Sequence, residues 1–263
     1  MPIPITQVDA FTSAAFAGNP AAVCILSEAM PDSWLQQVAA ENNLSETAYL
    51  LKRDDGYGLR WFTPGAEVNL CGHATLASAH VLWESGRLPL DETARFHTKS
   101  GVLTAVRQGD WIELDFPATP DTPAEPPAGL IEAIGASPTY VGRSRFDYVL
   151  VMDSEDTVRN LRPDFARLSR VEARGVIVTS RPSSSACDFV TRFFAPSVGV
   201  NEDPVTGSAH CCLVPYWNRV TGKTSFVAHQ VSARGGVLRL RLDGDRVKLG
   251  GQAVTVLRGE LLV

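Results

Sequence analysis

Several things are scarce in this 263-residue chain, and each scarcity narrows what it can do. Basic charge is in deficit: 24 Lys and Arg stand against 29 Asp and Glu, for a net charge of −5. The chain therefore lacks the electrostatic footprint of a nucleic-acid binder or of an anionic-membrane binder. No apolar run approaches the roughly 18 to 20 residues of a membrane-spanning helix. The cysteines are Cys24, Cys71, Cys187, Cys211 and Cys212. An odd number without a framework spacing points to reduced thiols and a cytoplasmic setting. Met1-Pro2-Ile3-Pro4-Ile5 has neither a basic stretch nor a continuous apolar core, so no secretory leader is expected. The chain has no His-Glu-x-x-His, no Cys-x-x-Cys and no Gly-x-Gly-x-x-Gly after a strand. It also has no Gly-x-Ser-x-Gly elbow. His73 and His80 fall on one expected helix, but no carboxylate cluster joins them, so no metal site is expected.

What the chain does contain is an echo of itself. Arg60-Trp61-Phe62-Thr63-Pro64 returns as Arg192-Phe193-Phe194-Ala195-Pro196. Cys71-Gly72-His73-Ala74-Thr75 returns as Thr206-Gly207-Ser208-Ala209-His210, and Gly101-Val102-Leu103 as Gly236-Val237-Leu238. Duplication predicts two similar domains, 1–117 and 118–263, with a substrate cleft between them. The stretch from Pro117 to Pro127, with five prolines and two acids, reads as the linker.

Each half reads as α+β. In the first, strands are expected at Val8–Phe11, Ala21–Leu26 and Glu46–Leu51, the last with a hairpin partner at Leu59–Phe62. Asp32 is placed as the cap of a helix carrying Leu35 and Val38. An Ala-rich helix runs from Gly72 to Trp83, and Thr98–Phe116 forms a hairpin. The second half repeats the order, with strands at Asp147–Met152, Gly175–Thr179 and Asp188–Phe194. Pro163 begins a short helix, a long one spans Gly207–Trp217, and Val237–Leu249 forms a hairpin. Val254–Val263 adds further strand. Helices apolar nearly all round predict a mostly antiparallel sheet rolled about each one.

Two loops can carry chemistry. Asn69–Thr75 and Asn201–His210 each place a glycine, Gly72 and Gly207, at a helix start, where free N–H groups favour an anion such as a carboxylate. Candidates for moving a proton are Cys71 and His73 in the first loop, and Asp203 and Ser208 in the second. Glu46 is a further candidate, since a carboxylate heading an apolar strand is unusual. The repeat places Gly175 opposite it, so the architecture does not require an acid there. A two-thiol racemase mechanism is disfavoured, because Cys71 aligns with Thr206. Cys211 and Cys212 fall within the helix and read as core.

These motifs, in this order, resemble the phenazine-biosynthesis isomerase (PhzF-like) family, which shares the diaminopimelate epimerase fold. The resemblance runs through Val8-Asp9-Ala10-Phe11, Gly18-Asn19-Pro20, Ser45-Glu46-Thr47-Ala48, Trp61-Phe62-Thr63-Pro64, Cys71-Gly72-His73-Ala74-Thr75 and Glu202–His210. It implies two pseudo-symmetric domains with the active site between them, and a cofactor-independent isomerase acting by proton transfer. Carried over, Glu46 is the catalytic acid/base, with His73, Asp203 and Ser208 around it. Asn19, Gly72 and Gly207 are then at the substrate. The partner implied is a small, cyclic, carboxylated amino-acid-like molecule, and a homodimer is expected. Two other readings remain open. One is an amino-acid epimerase or racemase; the other is a binding or interaction protein that keeps the cleft without catalysis.

Overall fold

The two longest helices organise the chain, each inside its own unit. The structure, a computed structural model, describes residues 2–262. One unit comprises the residues up to Asp115 together with those from Gly250 onward; the other is Phe116–Leu249.

In the first unit, helix Gly72–Glu84 buries all of His73–Ala79 and Val81–Trp83. Alanines at 74, 77 and 79 leave no bulk on several sides, so strands approach from all of them. The helix packs against strands Ile3–Ala10, Asn19–Leu26, Glu46–Arg53, Gly101–Gln108 and Ala253–Leu261. Strand Asn19–Leu26 lies antiparallel to Ile3–Ala10 and parallel to Glu46–Arg53, which forms a hairpin with Gly56–Phe62. Helix Asp32–Asn42 buries Leu35, Val38 and Ala39 against Tyr49, Phe62 and Leu26. Asp32 does not cap it: Pro31 holds the cap position, and the Asp32 carboxylate accepts from Arg60 at 2.7 Å instead.

The last strand, expected in the second domain, belongs to the first unit. Ala253–Leu261 pairs antiparallel with Ile3–Ala10, from Ile3 opposite Leu261 to Ala10 opposite Ala253. Without it, Ile3–Ala10 would present an open sheet edge. The expected end of that strand, Val263, lies outside the described residues.

In the second unit, helix Gly207–Thr221 buries Ala209–Val214, Tyr216 and Trp217. Phe189 stacks on His210 and Trp217. Pro215 sits inside the helix and has no N–H to give Cys211. The freed Cys211 carbonyl accepts from the Thr119 amide at 3.0 Å instead. The Pro-rich stretch is thereby pinned, and it also carries the short strand Thr122–Pro123, paired with Tyr140–Arg143. Asp121 is buried there, bonded by Tyr140 at 2.6 Å and Arg219 at 3.2 Å. The short helix after Pro163 starts at Phe165, with Asp164 as its cap. Strands Tyr140–Arg143 and Ser225–Gln230 are additional to the sequence expectation.

Candidate functional site

Strand Glu46–Arg53 opens on Glu46 because the chain reverses just before it. Asn43, in the left-handed region at φ 49°, ends the preceding helix. In parallel register Glu46 faces Ala21, whose small side chain leaves space beside the carboxylate. Asn19 heads the neighbouring strand. Gly18 precedes it at φ 64°, and a Cβ there would lie 2.2 Å from the Ala10 carbonyl oxygen, so only glycine makes this entry. His73, the second residue of its helix, completes the group.

These side chains form one buried cluster. His73 Nε2 lies 3.0 Å from Glu46 Oε2, with the two side chains 6% and 17% exposed. On the other side of the ring, Nδ1 lies 3.2 Å from Asn19 Nδ2 and 3.5 Å from Cys71 Sγ. Glu46 Oε2 and His73 Nε2 are both shut off from solvent, yet neither completes a well-directed hydrogen bond. Their contact is an ion-pair approach that leaves both atoms short of a partner, a costly state for buried polar groups. Burial alone pulls the His73 imidazole down, but the acidic groups of Cys71 and Glu46 on either side of the ring outweigh it and carry the group well above 6.5. The Cys71 thiol is pushed up by burial and then by the Glu46 charge.

Glu46, Cys71 and His73 are metal-ligand types whose donor atoms lie within 4.8 Å of one another. Cys71, however, approaches Nδ1 and Glu46 approaches Nε2. One metal ion takes one imidazole nitrogen, so the cluster suits a line of proton donors and acceptors better than a metal cage. His80 stands apart from this group, 3.1 Å from Thr255 Oγ1.

Strand Gly175–Ser180 repeats the frame of the first unit without its acid. Asp147 pairs with Gly175 at the start of two parallel strands, as Ala21 pairs with Glu46. A Cβ on Gly175 would come within 2.3 Å of Phe193 Cζ. The ring of Phe193 fills the place where the first unit keeps a carboxylate.

Asp203 is held by its own loop. Its Oδ2 accepts from Thr206 Oγ1 at 2.5 Å, and its backbone carbonyl accepts from Gln230 Nε2 at 2.8 Å. Gln230, 1% exposed, also accepts the Thr206 amide at 2.8 Å. Thr206 holds the N-cap position of the long helix but spends its hydroxyl on Asp203; neither it nor Cys71 caps its helix through the side chain. Both helix starts, at Gly72 and Gly207, therefore keep N–H groups available to an anion. Ser208, next to Gly207, accepts from Arg174 Nη2 at 3.1 Å. Cys211 and Cys212 are buried, as expected of core thiols.

Three supporting features were not among the sequence expectations. Gln230 lies 24 residues beyond Thr206, with no motif around it. Arg174 sits just before its strand and is paired with Asp147. The third is a repeated clamp. Arg60 forks onto Glu67 at 2.8 and 2.9 Å, and Arg192 onto Glu202 at 2.7 and 2.9 Å. Each clamp ties a strand to the segment entering its central helix. The echo of Arg60 in Arg192 was a signal for it, although the acidic partners lie at different spacings.

Comparison with known proteins is consistent across its forms. A family model described as phenazine biosynthesis-like protein (PhzC-PhzF) matches residues 8–259. An uncharacterised isomerase of Halalkalibacterium halodurans is 56% identical, over 100% of each chain. A crystal structure of a PhzF-family phenazine biosynthesis protein from Enterococcus faecalis superposes with a TM-score of 0.95 at 40% identity, covering 100% of each chain. A probable proline racemase from Agrobacterium radiobacter K84 shares the fold, with a TM-score of 0.67 at 12% identity over 99% of this chain and 93% of that one.

Proposed function

The chain belongs to the phenazine biosynthesis-like (PhzC-PhzF) family and is an isomerase, and on that premise we propose that Glu46 is its single acid/base, moving a proton between carbons of a small carboxylated substrate. The observation that carries this reading is the buried Glu46 Oε2, 3.0 Å from His73 Nε2 and without a completed hydrogen bond. A carboxylate so placed is shielded from water yet unsatisfied, and a substrate C–H set beside it gives it a task. General acid–base catalysis by a positioned group contributes roughly 10² to 10⁴-fold, and positioning adds to this when one group must reach two carbons.

His73 steadies the Glu46 charge and adjusts it as the proton leaves and returns. Asp203 and Ser208 bind the polar groups of the substrate, and Asn19 orients His73. The amides at Gly72 and Gly207 receive its carboxylate or developing negative charge. The substrate is a small, cyclic, amino-acid-like carboxylate, no cofactor takes part, and the working form is a cytoplasmic homodimer.

The test is carried out in deuterated water. Candidate cyclic and acyclic amino acids are incubated with the protein and followed by proton NMR. An isomerase places deuterium at a new carbon of the product. An epimerase, the second reading, instead washes it into the stereocentre of recovered substrate. Glu46→Gln should lose turnover by at least about 10²-fold while its circular dichroism and melting are unchanged. Wild-type-like turnover by that variant removes Glu46 from the role.

A further inference from the structure

Ser208 occupies the helix position that His73 occupies in the first unit, but its neighbour is a cation. Arg174 Nη2 donates to Ser208 Oγ at 3.1 Å. The guanidinium is fixed in place. Its Nε and Nη2 donate to the two oxygens of Asp147 at 2.9 and 2.5 Å, and the rings of Phe146 and Phe193 lie 5.1 and 5.7 Å from its carbon. Asp147 is 2% exposed, whereas Arg174 is 37% exposed. The pair is closed on its acidic side and open on its basic side.

The fold does not demand this pair. The matching register in the first unit puts Ala21 where Asp147 stands, and Ser45, not a cation, just before the strand. Burying a carboxylate is expensive even when it is paired. A purely structural solution would use an apolar residue, as Ala21 does.

Two donors remain. Arg174 Nη1 has no partner among the described residues. Ser208 Oγ already accepts from Arg174, so its hydrogen must point elsewhere, and no acceptor takes it among the described residues. The geometry points to an anion subsite in the second unit, in which Arg174 Nη1–H and the Ser208 hydroxyl together take the oxygens of a ligand carboxylate. An ionised acceptor beside a guanidinium and a hydroxyl makes short, charge-assisted bonds. That this carboxylate belongs to the isomerised substrate rests on the proposed function; the anion preference itself does not. Arg174 would then also be a positioning residue, because its bond to Ser208 fixes that hydroxyl as a donor.

The experiment compares benzoate with its neutral counterpart benzamide by isothermal titration calorimetry. The wild type should bind benzoate at least tenfold more tightly than benzamide. Asp147→Asn/Arg174→Met, which removes the cation without stranding the buried carboxylate, should abolish that preference and leave benzamide binding unchanged. Arg174→Lys keeps a charge for Asp147 but has no fork to reach both Asp147 and the ligand. It should lose most of the preference too, and it decides the matter if the double variant does not fold. Ser208→Ala should weaken benzoate severalfold. Failure of the wild type to bind benzoate, or a preference surviving in the Arg174 variants, overturns the subsite. Glu46→Gln should still bind benzoate, so loss of the proton-transfer reading would leave this result standing.

Discussion

Replacing Gln230 with Met should destabilise the second unit and loosen the loop that carries Asp203. Met keeps the length and unbranched shape of Gln while deleting both polar ends. Three contacts go: the Thr206 amide at 2.8 Å, the Asp203 carbonyl at 2.8 Å and the Thr206 hydroxyl at 3.1 Å. The Thr206 hydroxyl still donates to Asp203 Oδ2, so its loss is small. The amide of Thr206, a residue only 7% exposed, is left without its acceptor. A buried group stranded in this way costs about 1–3 kcal/mol, and the Asp203 carbonyl adds to it. The sum is about 2–4 kcal/mol. At about 2–4 °C per kcal/mol for a chain of 150–250 residues, the melting midpoint should fall by roughly 5–15 °C. Differential scanning calorimetry measures the shift, and hydrogen exchange at the Thr206 amide should accelerate. Gln230→Glu provides a control with a sign. Its carboxylate can still accept from the Thr206 amide but cannot donate to the Asp203 carbonyl until protonated. Burial raises its folded pKa above the unfolded value, so its penalty should ease as pH falls and deepen as pH rises. A Gln230→Met midpoint within about 2 °C of wild type, under 1 kcal/mol on the same scale, would refute the clamp.

Two further predictions concern the rest of the frame. Gly175→Ala drives a Cβ to 2.3 Å from Phe193 Cζ and should destabilise by about 1–3 kcal/mol, with Phe193→Leu restoring much of the loss in urea unfolding. If Gly175→Ala is neutral, the Phe193 ring does not exclude a side chain there. His210, fully buried with Nδ1 at 2.8 Å from the Thr206 carbonyl, is held down to about 4 by burial. The unfolded chain takes up that proton near pH 6.5 and the folded one only near 4, so His210 should withdraw stability as pH falls through that window. Its ring NMR signals should not titrate between pH 8 and 5.5, and a midpoint near 6.5 would contradict its burial as a neutral ring.

Much of the architecture could be read along the chain because periodicity and turn chemistry are local. The Gly72 helix shows itself through small apolar residues on every face, and the hairpins through Asp54-Asp55-Gly56 and Gln108-Gly109-Asp110. Boundaries moved where a tertiary partner intervened. Asp32 turns to Arg60 rather than capping its helix. The Pro117–Pro127 stretch, read as a linker, is pinned because Pro215 leaves the Cys211 carbonyl free for Thr119. The final strand joins the first unit because Ile3–Ala10 needs a neighbour along its second edge.

By itself, the sequence determined the duplication, the α+β class and the motifs that hold Glu46, His73, Asp203 and Ser208. Those follow from residue order over short spans. Tertiary structure alone decided what each of these residues faces. Glu46 meets His73 across 27 positions of chain, Asp203 is held by Gln230 across another 27, and Ser208 is turned by Arg174 across 34. Hydrogen bonds and desolvation act over a few ångströms in space and leave no periodic trace in sequence. The same repeated frame could therefore place a buried acid in one copy and the Phe193 ring in the other.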